Sequence, residues 1–212
     1  MKVQRIRITF SITEAMRYTG HLALRLAWER TFRRARLPLA YSAGYTPRPQ
    51  LNLAAPLPLG FLSTAELGDF WLEQERSLEA IRPPLKQAVP PGIEIHEVQE
   101  IPELHADKLP TLVKAASYAV TLPSPEPELG DRIASLMKET SLQRVRKGET
   151  YDLRPLIYEL NLLPADEQRQ RISMVLSHKP GKTGRPDEVL RQLGIDPNLT
   201  DICRIKIHLE QP

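Results

Sequence analysis

The sequence predicts an α+β protein made of two tandem ferredoxin-like (βαββαβ) units, pseudo-duplicated over residues 1–105 and 112–212. Three observations predict it. Segments of period-2 and helical hydrophobic spacing follow one another in the same order twice. Tyr45-x-x-Arg48-Pro49 returns as Tyr151-x-x-Arg154-Pro155, an offset of 106 residues in a 212-residue chain. With 41% hydrophobic and 26% charged residues, the chain has the composition of a globular protein that needs no covalent staples.

In the first unit, VQRIRITFSI sets Ile6, Ile8 and Phe10 on one side, the pattern of a half-buried strand. TGHLALRLAWERTFRRARLP reads as a helix that stops before Pro38. Leu24, Ala27, Trp28, Thr31, Phe32 and Ala35 form its apolar stripe, while Arg25, Arg30, Arg33 and Arg36 project broadly opposite. Leu22 and Leu26 share the charged side. A proline-rich stretch is expected to run extended to Leu59. AELGDFWLEQE then reads as a strand, SLEAIRPPLKQAV as a short helix damaged by Pro83 and Pro84, and GIEIHEVQEI as a strand.

The second unit repeats the order. AASYAVTL is a strand, and EPELGDRIASLMKET is a helix with Leu129, Ile133, Leu136 and Met137 as its stripe. YDLRPLIYELNLL and QRQRISMVLSH read as two strands. RPDEVLRQLGI is a helix with Pro186 early in it, and DICRIKIHLEQ closes the unit with alternating residues.

Charge is unevenly distributed. Residues 1–50 hold ten Lys and Arg against Glu14 and Glu29, whereas residues 51–130 hold five basic and twelve acidic residues. A basic end beside an acidic middle fits a surface that faces a polyanion or a charged partner, and equally internal ion pairing. No apolar run approaches the ~20 residues that span a bilayer, and MKVQRIRITF reads as a strand rather than a secretion signal. A single cysteine, Cys203, excludes an internal disulfide, so a cytoplasmic location is expected.

The sequence holds no GxGxxG, no complete phosphate loop and no HExxH. His21, His96, His105, His178 and His208 show no i,i+3 or i,i+4 pairing, so no metal and no cofactor are expected. HKPGKTGRP resembles the end of a phosphate loop but lacks the upstream glycine, and reads as a basic loop. His21 opens the arginine-rich helix and is the one weak catalytic candidate, an imidazole able to exchange protons near neutral pH.

The candidate nucleic-acid contacts are Arg25, Arg30, Arg33, Arg34 and Arg48, with Tyr41, Tyr45 and Tyr151 as stacking surfaces and Arg154 as a further polar contact. Guanidinium groups bind phosphate through a planar fork, and their crowding in ERTFRRAR disfavours the helix until an anion neutralises them. Pro47 and Pro49 hold Arg48 at low conformational cost. The alternative for the helix is a solvated face paired to the acidic middle, and for the Tyr and Arg residues packing at a sheet edge.

TGHLALRLAWERTFRRARLPLAYSAGYTPRPQLNLAAPLPLG resembles the N-terminal signature of the "radical SAM-linked" domain family, and YDLRPLIYEL and GRPDEVLRQLG resemble its later motifs. The resemblance implies association with a radical SAM protein, as a fused domain or a separate chain, and a place in RNA metabolism. It transfers no reaction and no catalytic residue. The chain lacks CxxxCxxC, so by this resemblance a partner would hold any radical SAM cluster. The function expected is a non-catalytic RNA-binding or substrate-presenting module working with a radical SAM enzyme. The alternatives are a module that docks such an enzyme without RNA, and an RNA-processing or RNA-modifying enzyme using His21.

Overall fold

The computed structural model describes residues 1–105, 107–146, 148–166 and 169–210. Gln168 and Gln211, at the ends of two expected strands, lie outside the described residues. The chain divides into two compact units, Met1–Leu112 and Val113–Pro212. Among the described residues no helix is long and apolar enough to cross a membrane.

The first unit runs β1 (Gln4–Ile12), α1 (His21–Arg34), β2 (Leu51–Leu53), β3 (Leu62–Leu72), α2 (Leu78–Ala88), β4 (Ile93–Glu100) and α3 (Leu109–Leu112). β1 pairs with β3 and with β4, and β2 pairs with β3, all antiparallel, giving the order β4-β1-β3-β2. Ile6, Ile8 and Phe10 are wholly buried, as their alternation predicts. Leu24, Trp28, Thr31, Phe32 and Ala35 of the helical stripe are buried as well. Four rings pack in a row through this core, Phe10–Trp28–Phe32–Phe70, the first pair edge to face and the others tilted, with centroids 4.8, 5.5 and 4.5 Å apart.

Two expectations for this unit need correction. The proline-rich stretch does not run extended to Leu59. It doubles back: Ser42 N donates to Arg48 O (2.9 Å), Gln50 N donates to Ala40 O (2.9 Å), and Gly44 reverses the chain at φ 128°. Only Leu51–Leu53 join the sheet. Nor is α2 broken by its prolines. It continues through Pro83 and Pro84 because Ser77 caps its N-terminus, Ile81, Leu85 and Ala88 are buried, and Arg82 Nη2 donates to Val98 O at 2.9 Å. Burial of one face offsets the lost backbone hydrogen bonds.

The second unit runs β5 (Val113–Thr121), α4 (Leu129–Lys138), β6 (Gln143–Arg146), β7 (Glu149–Asp152), β8 (Ile157–Asp166), β9 (Arg169–Lys179), β10 (Lys182–Thr183), α5 (Pro186–Gln192) and β11 (Asp201–Leu209). β5 pairs antiparallel with β11 and with β9, and β9 pairs antiparallel with β8 and β10. β6 and β7 make a separate hairpin. The expected single strand over 151–163 is interrupted at residues 153–156. There Asp152 Oδ1 accepts from Leu142 N (2.7 Å) and Arg154 N (3.0 Å), and Pro155 sits in a 3₁₀ turn.

Each unit has a Ser–His hydrogen bond between its first strand and its last. Ser11 bonds His96 in the first, and Ser117 bonds His208 at 2.7 Å in the second.

Candidate nucleic-acid interface

α1 is cut by its sequence into a buried stripe and an exposed strip, and the strip carries both Leu and Arg. Leu22 is 76% and Leu26 46% exposed. Continuing along the same strip, Arg30, Arg33 and Arg34 are exposed and form no ion pair among the described residues. The helix closes with Leu37 N donating to Phe32 O (3.3 Å), which places Arg36 at φ 52°, a left-handed position usually held by glycine. Arg36 is exposed and without an ion pair there as well. Four guanidinium groups therefore gather at the C-terminal end of one helix, where the macrodipole favours them.

Arg25 differs. Its Nε donates to Glu29 Oε1 (3.3 Å) and its Nη1 to Leu51 O (3.2 Å), so a carboxylate neighbours it already. Other cations of the first fifty residues are similarly engaged. Arg5 and Arg7 both grip Asp69, at 2.6 and 2.7 Å, and Arg17 reaches Glu14 at 3.2 Å. Internal pairing thus accounts for part of the basic excess and leaves the end of α1 uncompensated.

Arg48 lies on the return arm of the 40–50 hairpin, exposed and without an ion pair among the described residues. Tyr45 at its tip is fully exposed, and Tyr41 is 44% exposed beside the Tyr41–Pro49 bridge. Arg48 and Arg25 line a cleft of about 560 Å³ with Lys2, His105, Lys108 and Asp107. Trp71 forms part of its wall, with Lys2 Nζ 4.3 Å from its ring and its own Nε1 donating to Leu104 O (3.2 Å). Burial, then Arg5 and Lys108, lower the Lys2 pKa below its ordinary value. Lys2, His105 and Lys108 were invisible as site residues in the sequence. Lys2 lies about a hundred positions from the other two, and the β1–β4 pairing, Ile6 opposite Glu100, helps bring it near them.

His21 starts α1 with its Nδ1 buried and unpartnered. Burial, then Arg25, push its pKa down, with Glu66 opposing, so the ring favours its neutral form. Among the described residues no group of three His, Cys, Asp or Glu is placed to hold a metal.

In the second unit Tyr151 and Arg154 part company. Tyr151 lines a cleft between β7 and β9, where burial, then Glu188, raise its pKa. Arg154 is spent on carbonyls: Met137 O at 2.9 Å, Glu139 O at 3.1 Å and Ile157 O at 3.1 Å. It closes the C-terminal end of α4, so the sequence echo with Arg48 is one of position and not of side-chain environment.

Two antiparallel α+β units with an uncompensated arginine cluster define the class. The chain belongs to the family described as uncharacterized protein conserved in bacteria (DUF2344), which matches residues 5–186. No curated protein matches it. Among solved structures it is similar to a Cbf5–Nop10–Gar1 complex, at TM-score 0.49 and 10% identity over 95% of this chain and 48% of that one. It is also similar to an archaeal box H/ACA sRNP Nop10–Cbf5 complex, at TM-score 0.44 and 13% identity over 94% and 46%. The chain spans about half the length of these chains, and likeness at these scores carries no function across.

Proposed function

We propose that the chain is a non-catalytic RNA-binding or substrate-presenting module, with Arg30, Arg33 and Arg34 as its principal phosphate contacts. The observation that carries this reading is the exposure of those three arginines on one helix without a carboxylate partner. A row of unpaired guanidinium groups at helical spacing raises the free energy of the free protein and is relieved by a polyanion. Arg48, with Tyr41 and Tyr45 on the adjoining hairpin, supplies a second set of contacts, suited to phosphate and unstacked bases. Arg25 contributes less because Glu29 already faces it, and Arg154 is occupied as a helix cap.

We also read each unit as ferredoxin-like and the pair as a duplication. The orders β4-β1-β3-β2 and β11-β5-β9-β8, antiparallel throughout, support this. So do Ser11 and Ser117, 106 residues apart like the two Tyr-x-x-Arg-Pro motifs, each bonded to a histidine on the last strand of its unit.

Titration of labelled single-stranded RNA by anisotropy at several salt concentrations tests the function. Affinity should fall log-linearly with salt. Arg33→Ala with Arg34→Ala should flatten the slope by about 1.4, two contacts at ~0.7 each. Binding that is absent, or indifferent to salt, would overturn the reading.

A protein-docking role is favoured by a different observation, the exposure of Leu22 and Leu26, with Tyr18 at 77% and Leu59 at 62% also exposed in this unit. A radical SAM enzyme as the occupant rests on the sequence resemblance alone. Co-purification with such an enzyme that survives nuclease and is lost in Leu22→Asp would favour docking. Turnover of RNA abolished by His21→Ala in a folded protein would favour the enzymatic alternative.

A further inference from the structure

The GKT sequence at 181–183, unused by the function proposed above, forms part of a hairpin in the second unit. β9 turns into β10 through Pro180 and Gly181, with Gly181 at φ 70°, and the turn pairs Lys179 with Lys182. Like charges directly opposite each other in a β pair are destabilising, and neither lysine has an ion pair among the described residues. The hairpin is nonetheless firmly held. Ser177 Oγ, itself buried, donates to Lys182 O at 2.6 Å, and Gly184 N donates to Ser177 O at 2.8 Å. Gly184 presses so closely on the 153–156 turn that a Cβ there would meet Leu156 O at 2.8 Å.

This hairpin is one wall of a cleft of about 660 Å³, a volume typical of small-molecule sites. The opposite wall is the β6–β7 hairpin and the start of β8, which supply Tyr151 and Tyr158. Tyr151 is half-buried and Tyr158 is 43% exposed, so both offer ring surface to the cleft. Arg146 adds a third cation and Glu149 an acid. The other acid of the lining, Asp152, has an oxygen engaged by the Leu142 and Arg154 amides. The cleft therefore pairs a rigid cationic edge with flat aromatic surface and one available carboxylate acceptor. That combination suits a planar, amino-bearing ring joined to an anionic group.

We propose that the second-unit cleft binds a nucleotide, its base against Tyr151 and Tyr158 and its phosphate on Lys179 and Lys182. Glu149 is placed to accept from an exocyclic amino group of the base. The source is either a free nucleoside monophosphate or the phosphorylated end of an RNA chain. The proposal uses no residue of α1 and stands or falls apart from the RNA reading.

Calorimetric titration of the full chain with adenosine 5′-monophosphate, adenosine and inorganic phosphate tests it. The nucleotide should bind at least tenfold more tightly than either fragment. Lys179→Ala with Lys182→Ala should weaken the nucleotide at least tenfold and leave adenosine unchanged; both lysines are exposed, so the variant should fold. Tyr151→Leu should weaken nucleotide and adenosine alike. The Arg33→Ala, Arg34→Ala protein should retain nucleotide affinity, which separates the two proposals. Competition by a 5′-phosphorylated but not a 5′-hydroxyl oligonucleotide assigns the ligand to RNA ends; competition by neither, with the monophosphate bound, assigns it to free nucleotide. Adenosine monophosphate binding no better than phosphate, or unaffected by loss of both lysines, overturns the proposal.

Discussion

Asp69 is held by two arginines of β1. Its two oxygens accept from Arg5 Nε and Nη2 at 3.0 and 2.6 Å, and from Arg7 Nε and Nη2 at 2.7 and 2.9 Å. Arg5 and Asp69 are almost fully buried, and Arg5 Nη1 and Nη2 reach on to Glu103 O and Asp107 O. Removing the charge strands two guanidinium groups in a poorly solvated place. Asp69→Asn should cost about 3–5 kcal/mol, read as a lower midpoint in urea unfolding. Arg154→Ala makes a contrasting case. It frees the carbonyls at the end of α4, and should cost about 1–2 kcal/mol while leaving RNA affinity near wild type. A large loss of RNA binding in Arg154→Ala would return that residue to the contact set. The shared Tyr-x-x-Arg-Pro pattern does not separate Arg48 from Arg154, although Arg48 follows Pro47 and Arg154 follows Leu153. Their environments diverge because Arg154 lies under the end of α4 and Arg48 on a free hairpin arm.

At the level of elements, periodicity gave the long strands and α1 because one face of each meets a core. It failed where no core faces the segment. β6 alternates no apolar residues and Val145 is 70% exposed, so QRVR carries no strand signal, while the Tyr151–Asp152 end of β7 reads as the start of the strand that follows. The 40–50 hairpin was hidden for another reason: Pro47 and Pro49 favour extension locally, while the reversal depends on Gly44 and on bonds across six to ten residues. The junction of β7 and β8 can be tested by pH. The Asp152 carboxyl is held below its ordinary pKa first by the Leu142 amide, then also by the Arg154 amide. A depressed folded pKa adds stability above the ordinary carboxylate range, and that stability is lost as pH falls through the folded value. The Leu142 and Arg154 amide resonances should therefore shift together on acidification. In Asp152→Asn this titration should vanish. Amides that titrate identically in both proteins would show that another group controls the turn.

Across the whole molecule, the unequal charge of the sequence resolves into specific pairs. Among the described residues, Arg5, Arg7, Arg17 and Arg25 find carboxylates within the first unit, and the cations of residues 1–50 left without an ion pair are Lys2, the arginines at the end of α1 and Arg48 on the 40–50 hairpin. Net charge alone could not have located them, because pairing depends on which strand lies beside which. The division into two compact units gives a last prediction. The core cluster that contains Ile6, Trp28, Phe70, Ile81 and Val98 is drawn wholly from the first unit, and Tyr118, Ile172, Met174 and Leu190 are buried in the second. A unit whose core cluster is drawn from itself alone can unfold as its own cooperative block unless its coupling to the rest exceeds its stability. In hydrogen exchange at neutral pH, Asp69→Asn should accelerate the amides of β1, β3 and β4 by a hundredfold or more, since 3 kcal/mol exceeds two factors of ten. The amides at the centre of β5 and β9 should keep their protection. Equal loss in both sets would mean that the two units share one folding transition, and the expectation that the first unit unfolds on its own would have to be abandoned.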